Sequence, residues 1–362
     1  MLSRMIEQRY VANRIHARAG IFVFFGMALL TLSQVELSAT AEVRKVSLSA
    51  GSADGDDIQS ALNGLPGSGG EVFLGPGTYV VRRPIILQSD FLSLRGSGAQ
   101  TILYLKDRAN CPVVILGAPD RQAKATAQLR LADLLIDGNR EHQQVELWRT
   151  AKDGSLINNN GVDIRHVTDS VVENVTCCRS RSGGLVTSGG NRKLTIRQFT
   201  AFGNEFDGLA CYETEESNFI GLTLYDNRAA GISLDLDFNR NVIDGATLTR
   251  NDLGIFMRHS RDNSFKNLTI RGSRNHGVFM AQVAEDTASG WKHFPGTECT
   301  GNRFAGVDIS GSGGNAIRIN DLTCTNNLVT GETFANNRLG GLVSAEAQLV
   351  KAKLVKADGL GN

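Results

Sequence analysis

A glycine recurs at a nearly constant interval through the middle of the sequence, and each glycine begins a short strand-like run. Successive glycines are 23, 24, 23, 23 and 23 residues apart. The runs read GVDIR, GLVTS, GLACY, GISLD, GIFMR and GVFMA and begin at Gly161, Gly184, Gly208, Gly231, Gly254 and Gly277. A period this regular indicates one structural unit stacked on itself.

The first and third residues after each glycine are apolar or small, and on a strand they point to the same side. The first of each pair is Val162, Leu185, Leu209, Ile232, Ile255 or Val278. We expect these residues to stack into one continuous core. Asn204, Asn227, Asn251 and Asn275 stand just before glycines. We expect these asparagines to adopt left-handed backbone in tight turns.

Each repeat carries a second apolar pair and no helical periodicity, so it holds two or three short strands. This pattern predicts an all-β fold, a single-stranded right-handed parallel β-helix, which is a solenoid built from coils of about 23 residues. A leucine-rich repeat has a similar period, but its Leu-x-x-Leu-x-Leu signature is missing from the sequence.

The order of segments along the chain predicts four regions. Residues 1–41 read as a signal peptide, because four arginines precede the apolar run GIFVFFGMALLTL and Ala39–Ala41 offers a small-residue cleavage site. Residues 42–110 are expected to form an N-terminal cap with a short helix and the first coils. Residues 111–344 would form the β-helix, with loops near 141–158 and 283–300. Residues 345–362 would form a C-terminal cap or tail. An uncleaved membrane anchor is the alternative for residues 1–41.

Charge and cysteine content restrict the partners. Removal of residues 1–41 takes four of the 38 basic and two of the 37 acidic residues, leaving a net charge of −1. This balance gives no electrostatic reason to expect nucleic acid as a partner. All 6 cysteines follow the signal, and none lies in a zinc-like pattern. We expect a periplasmic or secreted monomer with no membrane contact after cleavage.

The stretch DDIQSALNGLPGSGGEVFLGPGTYVVRRPIIL (Asp56–Leu87) is followed by LRGSG and later by LIDGN. It resembles the opening of the pectate-lyase superfamily of right-handed parallel β-helix proteins, and later coils such as DNSFKNLTIRGSRNHGVFMAQ resemble the repeats of bacterial alginate C5-epimerases. The resemblance implies a short helix over the first coil and a polysaccharide partner. The Asp-Pro-His-Asp motif of the epimerases and the polygalacturonase motifs are absent from the sequence, so the reaction is not implied.

Ionisable residues converge in the middle repeats. The fourth position after each glycine gives Tyr212, Asp235 and Arg258, and the next two positions add Glu213, Asp237 and His259. Because successive coils stack about 4.8 Å apart, we expect these residues to share one exposed patch on the outer face. An ordinary surface ion pair between Asp235 and Arg258 is the alternative. Asp163, Arg165 and His166 form a second candidate cluster.

Three functions fit this patch. In a uronan lyase or C5-epimerase, Asp235, Asp237 and Glu213 would hold Ca²⁺ against the substrate carboxylate, Arg258 or His259 would act as base or clamp, and Tyr212 would donate a proton. In a glycoside hydrolase, Asp235 and Asp237 would act as a carboxylate pair on one face, about 7 Å apart. A polysaccharide-binding or structural solenoid without catalysis is the third possibility. Outside the proposed Ca²⁺, we expect no cofactor.

The two loops and one cysteine pair complete the predictions. Trp148 and Trp291, one in each loop, are candidate sugar-binding residues, and packing is the alternative for both. Cys299 and Cys324 begin matching segments 25 residues apart. One rung of separation would permit either a disulfide or two stacked free thiols.

Overall fold

The computed structural model describes residues 44–119, 124–143, 159–287 and 290–344. Predictions for residues 1–41, for the loop that contains Trp148 and for the tail at 345–362 lie outside the described residues. Residues 284–292 belong to a unit separate from residues 44–283 and 293–344. Within the described ranges, no helix is long and apolar enough to cross a membrane.

Residues 44–283 and 293–344 form a right-handed parallel β-helix, as the sequence predicts. In the described ranges, this unit contains two large sheets and one narrow sheet, and the strands of the narrow sheet lie between residues 126 and 261. Between residues 126 and 261 each turn of the chain contributes strands to all three sheets, and these strands pair in parallel with their equivalents one turn later.

The largest sheet has seventeen described strands. They are Lys45–Leu48, Gly70–Leu74, Gly77–Val81, Leu92–Arg95, Thr101–Leu105, Arg130–Asp137, Val171–Cys178, Thr195–Arg197, Thr200–Phe202, Asn218–Ile220, Thr223–Tyr225, Val242–Asp244, Thr247–Thr249, Ser264–Arg271, Arg303–Ser310, Leu328–Thr330 and Thr333–Ala335.

The ten-stranded sheet contains the glycine-initiated runs, and the six-stranded sheet follows it one bend later. The described strands of the first are Ile85–Leu87, Val114–Gly117, Val162–Arg165, Leu185–Ser188, Leu209–Tyr212, Ala230–Asp235, Leu253–Arg258, Val278–Ala281, Ile317–Ile319 and Leu342–Ser344. Those of the second are Thr126–Ala127, Val167–Thr168, Asn191–Arg192, Thr214–Glu215, Phe238–Asn239 and Ser260–Arg261.

The predicted core ladder is confirmed. The first residues after the glycines pair in register from rung to rung, and all six are 0% exposed: Val162, Leu185, Leu209, Ile232, Ile255 and Val278. Burial of each such side chain stabilises the fold by about 1.5 to 3 kcal/mol. Phe265 and Phe304 stack inside the same core with ring centroids 4.3 Å apart.

Glycine is needed at the repeated positions because there is no space for a side chain where each run begins. A Cβ on Gly254 would lie 2.4 Å from the carbonyl oxygen of Gly277 and 2.6 Å from Cγ2 of Ile270. Only a residue without a side chain fits between the next rung and the opposite sheet.

The expectation that the asparagines before the glycines adopt left-handed backbone is wrong. None of Asn204, Asn227, Asn251 and Asn275 has a positive φ. Three of them, Asn204, Asn227 and Asn251, instead form a buried ladder. Asn204 donates its Nδ2–H to Oδ1 of Asn227 at 2.8 Å, and Asn227 donates to Oδ1 of Asn251 at 3.0 Å. The same side chains accept backbone N–H groups at the bend, which burial would otherwise leave without partners.

A short helix, Gly55–Asn63, packs on the first coils as predicted. Asp54 caps its N-terminus by accepting the N–H groups of Asp56 and Asp57, while Asp57 accepts the N–H of Asp54. Ile58 and Leu62 place this helix against the core. The other described helical segments are the 3₁₀ turns Gly98–Gln100 and Arg140–His142.

The unit that includes residues 284–292 contains a two-stranded sheet in the predicted second loop. Its strands are Ala284–Thr287 and Gly290–His293. Trp291 lies on the second strand, and the position of its side chain is outside what the structure describes.

Candidate functional site

The bend between the ten-stranded and six-stranded sheets brings the predicted site residues together. Tyr212 pairs in register with Asp235, and Arg258 follows on the next strand. These three side chains occupy the outward fourth position of consecutive rungs. The chain then turns, and Glu213, Asp237 and His259 lie in the turn with positive φ angles of 49°, 67° and 43°.

Asp235 and Arg258 form a buried ion pair. Nε and Nη2 of Arg258 donate to Oδ2 of Asp235 at 3.1 and 2.6 Å, and Oδ1 accepts the N–H of Leu236 at 2.8 Å. The side chains are only 1% and 8% exposed. The expectation that Asp235 belongs to an exposed ladder is therefore wrong. Flanked by Tyr212 and Arg258 on adjacent rungs, its carboxylate is withdrawn from water.

Asp237 and His259 form a second pair closer to the solvent. Nε2 of His259 lies 3.0 Å from Oδ1 of Asp237, and their side chains are 11% and 57% exposed. The hydrogen bond from His259 lowers the pKa of Asp237, against the opposing effect of burial. The carboxylate holds the imidazole in one orientation.

Asp235 and Asp237 do not share a face, so the expected carboxylate pair is not formed. The strand ends at Asp235, and Leu236 and Asp237 both have left-handed backbone, with φ angles of 49° and 67°. The alternation that would bring residues i and i+2 to one side ends where the strand does.

The predicted calcium ligands do not converge. The Glu213 carboxylate accepts the N–H of Gly189 on the preceding rung at 2.6 Å, while Asp235 is bonded to Arg258 and Asp237 to His259. In the part of the chain that the structure describes, no group of three or more His, Cys, Asp and Glu side chains is arranged to hold a metal ion. The Ca²⁺ expectation therefore finds no support.

The second candidate cluster is also tied into internal bonds. Asp163 is 3% exposed, accepts Nδ2 of Asn160 at 2.6 Å and is paired with Arg165. His166 lies in the following turn with a φ of 52°. These groups lie three rungs before Asp235.

Asp207, which stands just before Gly208, is a buried acid that the sequence analysis did not identify. Its Oδ1 accepts the N–H of Ala230 at 2.8 Å. Burial raises its pKa to about 7. The signal in the sequence is an acid at a position where neighbouring repeats have Gly183 and Ala230.

Cys299 and Cys324 are free thiols, so the disulfide alternative is not realised. The backbone N–H of Cys299 lies 3.4 Å from Sγ of Cys324, and Sγ of Cys299 lies 3.6 Å from the carbonyl oxygen of Ala281. Both side chains are buried.

Residues 139–349 match the family described as periplasmic copper-binding protein (NosD). The chain belongs to the NosD family. No curated protein matches the sequence at a significant level. The copper that the family's description names would need ligands among the described residues. The absence of a three-ligand cluster among the described residues applies to copper as it does to calcium. Burial raises the pKa of Cys178 to about 11 and that of Cys177 well above its usual value, which disfavours the thiolates that copper binds. The described NosD solenoid therefore does not fit a copper site.

Solved structures with the same architecture come from enzymes and from phage. The A-module of mannuronan C-5 epimerase AlgE4 from Azotobacter vinelandii is 17% identical, with a TM-score of 0.52 over 80% of this chain and 95% of that one. Polygalacturonase from Erwinia carotovora is 12% identical, with a TM-score of 0.56 over 86% and 97%. An N-terminal fragment of gene product 12 of bacteriophage Phi29 is 13% identical, with a TM-score of 0.62 over 80% and 56%. These likenesses confirm a pectate-lyase-like parallel β-helix, and at such identities they show the fold alone.

Proposed function

We propose that this protein is exported to the periplasm or secreted, and that it acts there on a polysaccharide containing uronic acids. The observation that carries the proposal is the desolvated ion pair between Asp235 and Arg258 at outward positions of the ten-stranded sheet. The family's description as periplasmic supports the location. The names of the epimerase and the polygalacturonase among the similar structures support the substrate class.

A buried ion pair is a poor way to stabilise an outward face. Desolvating two charges costs several kcal/mol per ion, and apolar residues of similar size usually serve stability as well or better. Neighbouring rungs use Val186 and Ala210 at outward positions of the same sheet. Charges held out of water beside a titratable His–Asp pair are typical of a functional site.

The reaction that fits best removes the proton at C5 of a uronate. The His259–Asp237 pair, whose exposed member is Asp237, takes this proton as general base, and Arg258 stabilises the negative charge that develops on the substrate carboxylate. The electron pair left at C5 then has two outcomes. In the lyase outcome it expels the O4 substituent, whose oxygen takes a proton from Tyr212. In the epimerase outcome C5 itself takes the proton from Tyr212 on the other face of the ring.

The same geometry bears on the two alternative functions, a glycoside hydrolase and a non-catalytic solenoid. A hydrolase with paired aspartates loses its support, because Asp235 is buried while Asp237 lies in the turn. A solenoid that binds polysaccharide without turnover keeps the same surface and differs only in the outcome of the assay.

The test is incubation of the purified chain with acidic and neutral glycans. Lyase activity is read as the absorbance of an unsaturated product, and epimerase activity as deuterium uptake at C5 in heavy water. We expect turnover of a polyuronate and a loss of about 100-fold or more in His259→Gln. His142→Gln is the matched control, because His142 also faces an aspartate, Asp107. Binding of a polyuronate without either product would assign the non-catalytic function. Absence of binding to every glycan would reject the proposal.

A further inference from the structure

Accessibility changes along the outward face of the ten-stranded sheet. The second residue after each repeat glycine, or after the equivalent Ala316, points outward. In four successive rungs this position is buried, at Asp163, Val186, Ala210 and Ser233. In the next three rungs it is partly exposed, at Phe256, Phe279 and Arg318. The accessible part of this face therefore begins with two aromatic rings, which a guanidinium follows on the next rung.

The two phenylalanines form a stacked aromatic pair, the platform. Phe256 and Phe279 pair in register, and their rings are stacked with centroids 6.0 Å apart and an interplanar angle of 6°. Both rings lie outside the core, on the side away from Ile255 and Val278. A cross-strand aromatic pair contributes about 0.2 to 1 kcal/mol to a sheet. Partly exposed aromatic faces are also the surfaces on which the apolar face of a sugar ring packs.

Polar groups frame the platform on both sides. The guanidinium carbon of Arg258 lies 5.2 Å from the centroid of the Phe256 ring. His276 stacks beside Phe279 with centroids 5.7 Å apart, and its Nδ1 accepts the N–H of Asn315 at 2.9 Å. Burial and the charge of Arg318 lower the pKa of His276, which disfavours the protonated ring. The surround is therefore aromatic, with the paired guanidinium of Arg258 beside Phe256 and an imidazole beside Phe279.

Arg318 is placed to hold an anion. It pairs in register with Phe279, one rung farther along the solenoid. Nε and Nη2 donate long hydrogen bonds to Oδ1 of Asn320 at 3.4 and 3.3 Å. Among the described residues, Arg318 has no carboxylate within ion-pair distance, in contrast to Arg258. A guanidinium in this state can still take a carboxylate through its fork of N–H donors.

We propose that Phe256, Phe279 and Arg318 form a subsite for a uronate residue of an acidic polysaccharide. The sugar ring packs on the phenylalanines, and its carboxylate binds Arg318. Rungs are about 4.8 Å apart, comparable to the size of one sugar ring. The polysaccharide therefore runs along the solenoid axis, from the turn at His259 toward the C-terminal coils. This inference rests on the proposed function and adds the direction of the substrate and the residues that hold it.

The test measures binding rather than turnover. Polyuronate oligosaccharides and neutral oligosaccharides of equal length are titrated into the purified chain by calorimetry. We expect Arg318→Gln to weaken binding of the polyuronate by about tenfold or more and to leave neutral binding unchanged. Phe279→Ala is expected to weaken binding of both ligands, and Phe279→Tyr to retain it. Arg303→Gln is the matched control, because Arg303 is an exposed arginine on the seventeen-stranded sheet.

The outcomes separate this subsite from the proposed function. If the parent binds a polyuronate and Arg318→Gln binds it equally well while melting at the same temperature, the subsite is wrong and the function stands. Should Phe279→Ala fail to fold, Arg318→Gln and Phe279→Tyr still decide the question. If the parent binds no polyuronate and no neutral glycan, both proposals fall. Weakening by Arg303→Gln equal to that by Arg318→Gln would show that binding depends on general charge and would overturn the subsite.

Discussion

Arg258 donates two hydrogen bonds to one carboxylate oxygen of Asp235, and both side chains are almost completely buried on the outward side of a sheet. Removing one partner therefore leaves an uncompensated charge away from water. We expect Asp235→Ala to lower the free energy of unfolding by about 3 to 5 kcal/mol, measured by urea denaturation. A loss of activity in this variant is informative only when the folded fraction has been measured.

Two controls isolate this effect. The charge-free double variant Asp235→Leu with Arg258→Met should recover most of the lost stability, because neither charge remains buried. Asp226 and Arg250 form an equivalent pair between adjacent rungs, but their side chains are 45% and 61% exposed. Asp226→Ala should cost less than about 1 kcal/mol. Equal losses in Asp235→Ala and Asp226→Ala would show that burial of the first pair has no energetic consequence.

The asparagine ladder gives a second prediction. Nδ2 of Asn227 donates to the carbonyl oxygen of Ala201 and to Oδ1 of Asn251, while its Oδ1 accepts two bonds from Asn204. Asn227→Ala removes all four bonds and leaves buried polar groups without partners, so we expect a loss of at least about 2 kcal/mol. Asn275 is exposed and bonds to Asp252. Asn275→Ala should cost about 1 kcal/mol or less, and thermal melts of the two variants should differ accordingly.

Much of the fold follows from periodicity alone. Residues such as Ile232 and Ile255 alternate with outward residues, and a repeat of constant length forces equivalent positions into register. The sequence shows where the repeated glycines and asparagines lie, but it does not show why these residue types are needed there. Gly254 is needed for space, and Asn227 is needed as a buried hydrogen-bonding group rather than for left-handed backbone.

The site was less predictable because burial on an outward face depends on neighbours that the repeat does not reveal. Spacing correctly brought Tyr212, Asp235 and Arg258 to adjacent rungs. It did not show that Asp235 is excluded from water, nor that the strand ends there and turns Asp237 away. In the sequence, Phe256 and Phe279 are ordinary strand residues, and only the structure shows that their rings stack.

The free thiols of Cys299 and Cys324 give a third prediction. Burial raises the pKa of Cys299 well above its usual value, and the neighbouring Cys324 adds to this effect. Both thiols should therefore resist alkylation in the native protein and react only after unfolding. Mass analysis of the unfolded, non-reduced chain should show both cysteines alkylated. A mass that shows two hydrogens lost and neither residue modified would establish the bridge that the structure lacks.

Asp207 predicts how stability depends on pH. Burial raises its pKa to about 7 in the folded chain, against about 3.9 for an unfolded aspartate. Between these values the native state binds more protons than the unfolded state, so stability falls as pH rises from about 4 to about 7 and then levels off. The full effect of a shift this large is on the order of 4 kcal/mol. Asp207→Asn should remove this slope and leave the variant more stable than the parent at pH 8, measured by urea denaturation across the range.

Asp226 provides the opposite case in the same experiment. The hydrogen bond from Arg250 lowers the pKa of Asp226, so the stability it contributes is present above the unfolded pKa and is lost as pH falls through the lowered value. Asp226→Asn should therefore weaken the fold slightly at neutral pH and have no effect in acid. If Asp207→Asn followed the Asp226→Asn pattern, the Asp207 carboxyl would be ionised and stabilised in the fold. The Ala230 N–H bond would then outweigh burial.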